Sequence, residues 1–243
     1  MRINQTRKRE NASLRIQKQK GPVQMQQARG GQFFGQVAAI AMVMLQVLIF
    51  LAAQADSRQV KQPKPDPQDA VATARWLVSQ NVWGVLNTIA DDLGGAPFGN
   101  VVSFSDGLPN KGTGVPYFYL TTLDPTAKYA LKDERASFTA SEYPVGTCRK
   151  IDPENPTCAK ITLMGKLKIL NGSSEEAEFG QNALFTKHPE MKNWPKEHGF
   201  QVYKLTIENI FMIDWFGGPK PITPDQYLHP NKSRNTLDSP LWK

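Results

Sequence analysis

The 243-residue sequence predicts an α+β fold: a closed or split antiparallel β-barrel with flanking helices. Three observations support it. Six or seven segments between residues 82 and 216 have strand composition, rich in β-branched and aromatic residues and bounded by Gly, Pro and Asn. Helix-period segments with N-capping residues lie between them, and no unit repeats. The strands are also too many and too apolar to leave open edges bare. The length suits one ordinary domain with tails.

The chain divides before the fold begins. Residues 1–32 are basic, polar and Gln-rich, with too little apolar material to offset the entropy of ordering. Residues 33–55 form a secretory signal or a signal anchor. The run from Val37 to Phe50 is apolar except for Gln46, and Ala53-Gln54-Ala55 supplies small residues where a signal peptidase reads. Cleavage places the mature start near Asp56, whereas an uncleaved 33–53 would span a bilayer with its basic lead in the cytosol. A start at Met25 would give a leader of ordinary length. Both topologies put residues 56–243 in the lumen.

Charge follows this division. Residues 1–55 hold eight of the 29 Lys and Arg residues and one of the 22 acids, so the remainder is formally neutral. A phosphate-backbone binder needs a basic surplus on one face, and the folding part has none. The expected partners therefore do not include nucleic acid, and a membrane only if the signal segment stays attached.

A Pro-rich linker, 56–66, precedes a domain over 67–228 and a flexible tail over 229–243. Asp66-Pro67 reads as an N-cap and first helical residue, and Ala70, Ala74, Leu77 and Val78 share one helical face. The strand from Val82 to Ala90 has apolar residues on both faces. A loop over 91–99 leads to the stretch around which the rest is arranged. Two strands, Val101–Ser105 and Pro116–Thr122, are read as a hairpin through Asp106-Gly107 and the 109–114 turn. Asp124-Pro125 opens a helix to Glu134, and Arg135–Glu142 is a strand. Ala159–Asn171 is a long strand, with Ile161, Leu163, Leu167 and Ile169 on one face. Ser173-Ser-Glu-Glu176 resembles a capping box opening a helix to Lys187. Phe200–Phe216 forms two strands or one bent one, and Thr223-Pro224 opens a last short helix.

Cys148 and Cys158, the only two cysteines, flank a turn-rich loop and in a lumenal protein pair as a disulfide worth roughly 3 kcal/mol by loop closure. Free buried thiols are the alternative. The three histidines are scattered and no CxxC or HxH spacing exists, so no metal site is expected. Asn171-Gly-Ser173 and Asn231-Lys-Ser233 are N-glycosylation acceptors on the lumenal side.

Several motifs carry a resemblance: Ser105-Asp-Gly107, Gly114-Val-Pro-Tyr-Phe-Tyr-Leu120, His188-Pro-Glu-Met191, Trp194-Pro195 and Asp214-Trp-Phe-Gly-Gly-Pro-Lys220. Over about Ala74 to Tyr227 the chain resembles the CREG family of secreted glycoproteins. The resemblance implies the homodimeric split barrel of pyridoxamine-phosphate-oxidase-like flavoproteins. Flavin-binding relatives hold the FMN phosphate through hydroxyl and basic groups, and Ser103, Thr121, Thr122 and Lys128 occupy that neighbourhood here. Asp124 intervenes and would repel a phosphate, and CREG proteins are regarded as having lost the cofactor. These four residues are thus expected as a vestigial site. Catalytic residues are expected to be none: His188 reads as a turn residue rather than a general base, and no Ser-His-Asp, paired-carboxylate or P-loop arrangement stands out.

The dimer expectation rests on Tyr117, Tyr119, Trp215 and Phe216 as a self-complementary aromatic patch, with filling of the monomer's own barrel as their alternative use. The predicted function is a non-catalytic glycoprotein acting by protein interaction, with a receptor in the secretory or endolysosomal route. The family's ties are to growth control, differentiation and lysosomal function. An FMN-dependent oxidoreductase is the competing prediction.

Overall fold

The structure is a computed structural model that describes residues 42–46 and 62–230. Residues 42–46 are helical and exposed. The rest of the leader, the expected cleavage site and the tail with Asn231 lie outside the described residues.

In the described domain, helix α1 (Ala70–Gln80) precedes strands β1 (Trp83–Ala90), β2 (Ala96–Ser103), β3 (Ser105–Leu108) and β4 (Lys111–Leu120). Helix α2 (Pro125–Lys132), strands β5 (Arg135–Ser141) and β6 (Lys160–Ile169), helix α3 (Glu175–Lys187), strand β7 (Gln201–Ile213) and helix α4 (Pro224–Leu228) complete it. All seven strands join one antiparallel sheet in the order β2-β1-β5-β6-β7-β4-β3.

That order makes the barrel. Strands β2 and β3 are consecutive in sequence, separated by Phe104 alone, yet they occupy opposite edges of the sheet. One residue spans roughly 3.5 Å, so the sheet curls until its edges meet at Phe104. The Phe104 N–H donates to the Val82 carbonyl at 3.3 Å, and its ring sits 4.5 Å from that of Phe138, which lies 5.3 Å from Phe118. These aromatics fill the main core together with Leu86, Leu163 and Leu205.

The expected hairpin is thereby corrected. Strand β2 pairs with β1 along its whole length, from Ala90 opposite Ala96 to Trp83 opposite Ser103. Strand β4 takes the short β3 instead, through a turn in which Asn110 adopts φ 60°. Strand composition suits Val101–Ser105 to a pleated surface without naming its neighbour.

Smaller boundaries move for local reasons. Helix α1 is capped by Asp69, which accepts from Ala72 N at 2.9 Å, while Asp66 accepts from Gln68 N in the preceding turn. Residues 62–66, within the expected extended linker, are tied to the domain: Trp76 Nε1 donates to the Gln62 carbonyl, and Lys64 meets Glu142 at 2.6 Å. In β1 only Gly84, Leu86, Thr88 and Ala90 are fully buried, so the strand has one core face and one half-covered face. Ser174, not Ser173, caps α3 by accepting from Ala177 N. Ile169, expected on the apolar face of its strand, is 40% exposed.

Phe200–Phe216 resolves into one long bent strand, β7, whose register against β6 shifts at Gly165. A Cβ there would lie 1.9 Å from the Thr206 carbonyl oxygen, so only glycine admits the bulge. Thr223 caps α4 in a capping box with Gln226. Tyr227 on α4 is wholly buried and donates to the Gly114 carbonyl at 2.9 Å, while the Arg75 guanidinium donates to the carbonyls of Gly112 and Thr113. Gly114 has φ +81°, and a Cβ on it would collide with Arg75 and Tyr227. The glycine of the Gly114–Leu120 motif is therefore where α1 and α4 close on β4.

Candidate functional site

Cys148 and Cys158 are joined in a disulfide with a Cα–Cα distance of 5.2 Å, and both are buried. Beside the bridge, the buried Glu142 carboxylate accepts from Thr147 Oγ1 at 2.7 Å and Ala159 N at 2.8 Å as well as from Lys64. Asp214, which opens the Asp214–Lys220 motif, is wholly buried. Among the described residues its carboxylate oxygens have no hydrogen-bond partner, and Lys220 Nζ lies 3.8 Å away. Burial raises its carboxyl above the ordinary carboxylate range, against the pull of Lys220 and Lys64.

Of the four residues expected as the phosphate neighbourhood, only Thr121 is buried. Among the described residues, no hydrogen bond or ion pair joins any two of their side chains. The Thr121 hydroxyl donates to the His198 carbonyl and accepts from Leu123 N at 3.2 Å. Ser103 lies at the end of β2 opposite Trp83, and Thr122 and Lys128 are exposed. Asp124 stands between them with its carboxylate in place: Oδ1 caps α2 by accepting from Thr126 N at 2.7 Å, and Oδ2 accepts from Asn100 Nδ2 at 3.0 Å. A phosphate dianion needs convergent donors. Here the Thr121 hydroxyl is committed to the His198 carbonyl and the Asp124 carboxylate is fixed by Thr126 and Asn100, so the residues present do not fit the group.

His188 has a structural task. It ends α3, is buried, and its Nε2 lies 2.9 Å from the Phe104 carbonyl oxygen. A carbonyl only accepts, so Nε2 carries the proton and donates. The ring holds the barrel seam, with its Nε2 proton committed to that carbonyl. Burial, with Lys187 adding to it, lowers its pKa below the ordinary imidazole value. Lys187 itself, pushed down to about 8 by burial, donates to the Ser79 carbonyl and lies over the Phe104 ring.

The four aromatics expected at a self-association face separate. Tyr117 fills the chain's own second core with Leu184, Met191 and Val202, and its hydroxyl donates to Glu176 at 3.2 Å. Burial, then the Glu176 charge, raises its phenol far above the usual value. Tyr119 is half-buried. Trp215 and Phe216 are 51% and 61% exposed, past the end of β7.

Tyr119 also lines a cleft that the sequence did not announce as a site. A cleft of about 570 Å³ opens between the first two turns of α3, the 170–174 turn and the start of β7. Tyr119 and Phe200 form its aromatic wall, with ring centroids 5.1 Å apart and planes 21° from parallel; Trp194 backs both. Glu178, Gln181 and Gln201 bring polar groups to it. The sequence separation of β4, α3 and β7 hid this meeting, although a sequon running directly into a helix start marked one wall.

Comparison with known proteins follows the same lines. Residues 65–229 match the family described as CREG, beta-barrel. The chain is 40% identical to Protein CREG1 of Gallus gallus over 189 residues, covering 75% of this chain and 97% of that protein. It is 39% identical to Protein CREG1 of Homo sapiens over 171 residues, covering 69% and 77%. Among solved structures, a heme binding protein from Mycobacterium smegmatis superposes with a TM-score of 0.54 at 18% identity, covering 69% of this chain and 62% of that one, a likeness of fold alone. The family match takes in the seam at Phe104, the Gly114 closure and every strand and helix from α1 to α4, and on that ground the chain belongs to the CREG family.

Proposed function

We propose that this chain is a non-catalytic, glycosylated CREG-type protein of the secretory route, extracellular or endolysosomal, that acts as a homodimer by binding other proteins. Its place is in growth, differentiation or lysosomal function. The N-terminal apolar run, the disulfide and the exposed sequon at Asn171 support the lumenal part of this reading. The formally neutral domain argues against nucleic acid as a partner.

The observation that carries the non-catalytic reading is Asp124. Its carboxylate is built into the α2 cap and the Asn100 contact, where a flavin phosphate would need donors. An FMN-dependent oxidoreductase would have to bind a dianion beside that charge, with the Thr121 hydroxyl already given to His198. The test is to purify the secreted protein and denature it. A colourless preparation that releases no flavin is expected; one flavin per protomer, released on unfolding, overturns the reading.

A further inference from the structure

We propose that the cleft beside Tyr119 is the seat of the sugar chain carried by Asn171, so that the first saccharides pack on the protein instead of extending into solvent. The inference rests on the glycoprotein reading above. It begins with the acceptor. Asn171 is exposed at the end of β6, and its Oδ1 accepts from Ser173 N at 3.2 Å and Ser173 Oγ at 3.0 Å. Its Nδ2, the atom that takes the sugar, has no partner among the described residues.

The acceptor side chain is thus folded over a turn whose other members, Gly172 and Ser173, are walls of the cleft. A pyranose linked to Nδ2 starts at the rim. Its chemistry matches what lies inside. One face of a pyranose is a patch of C–H groups, which suits the Tyr119 and Phe200 rings. Its hydroxyl and acetamido edges need donors and acceptors, which Gln181, Gln201 and Glu178 supply. At about 570 Å³ the cleft is of ligand size and carries the aromatic wall and few convergent polar groups of a binding site. Covalent tethering replaces a bimolecular encounter by an effective concentration, so weak contacts suffice to hold the sugar.

The experiment uses full-length protein secreted from a glycosylating host. Intact mass of the protein and of Asn171→Gln gives occupancy at Asn171. Release of the glycan by a peptide N-glycosidase is then timed on native protein, on denatured protein and on Gln181→Trp, which fills the cleft from an exposed helical position. Native release at least tenfold slower than from Gln181→Trp is expected. Hydrogen exchange gives a second readout: the 170–174 and 200–202 amides should exchange faster in Asn171→Gln than in the glycosylated protein, whatever the fate of the tryptophan variant. An occupied site with equal release rates and unchanged exchange overturns the seat while leaving the glycoprotein reading intact. An unoccupied Asn171 overturns the seat and that part of the reading together.

Discussion

The Phe104 carbonyl is buried at the barrel seam with the His188 ring as its side-chain donor. His188→Ala leaves that acceptor bare, and unfolding in urea should show a loss of about 1–3 kcal/mol. That His188 is structural was legible from its place before Pro189 at a helix end; its partner 84 residues upstream was not, because a spacing pattern carries no information about long-range contacts. Asp214 makes a pH-dependent counterpart. Its folded pKa is raised, so its contribution to stability is fully present below the ordinary value of 3.8 and is lost as pH rises through the folded value. His188, lowered, acts in the opposite sense: its contribution is present above 6.5 and is lost as pH falls through its folded value. Comparing wild type with Asp214→Asn isolates the carboxylate. Thermal melts should show the variant gaining on wild type as pH rises from about 4 toward neutrality, and a constant difference across that range would contradict the assignment.

Helix α3 lies close on β4 and β7 because Gly180 faces them. A Cβ on Gly180 would come within 2.8 Å of the Tyr117 ring and 2.9 Å of Val202. Gly180→Val should lift the helix and cost about 1–3 kcal/mol by overpacking, read as a shifted urea midpoint. The Cys148–Cys158 bridge works at the same scale, holding the loop that carries Thr147 and Ala159 to Glu142. Replacing both cysteines by serine should cost about 3 kcal/mol by loop closure, measured against wild type under oxidising conditions. Elements were the most legible level, since periodicity and capping residues are local signals, although the expected strand Val101–Ser105 breaks at Phe104 and the first residues of β2, from Ala96, fall where a loop was expected. The edge position of β2 was not legible. Val101–Ser105 alternates apolar and hydroxyl residues whichever neighbour it has, and only the one-residue link at Phe104 reveals that the chain crosses a seam.

Across the whole molecule, the candidate site was legible mainly as a conflict. Asp124 stood out in the sequence as wrong for a phosphate, and its hydrogen bonds to Thr126 and Asn100 give that conflict a fixed geometry. The aromatic patch was only half legible, since the sequence does not say that Tyr117 faces α3 while Trp215 and Phe216 face outward. Because Trp215 is exposed in the protomer, Trp215→Ala should weaken dimerisation by about 2 kcal/mol or more. It should leave unfolding stability within about 0.5 kcal/mol. Light scattering reads the first effect, and a wild-type protein that is only monomer at micromolar concentration would contradict the dimer. The central claim, a split barrel that works without flavin chemistry, is tested most directly by titrating the secreted protein into FMN and following flavin fluorescence. No saturable quenching at micromolar protein is predicted; saturation at one FMN per protomer would contradict it.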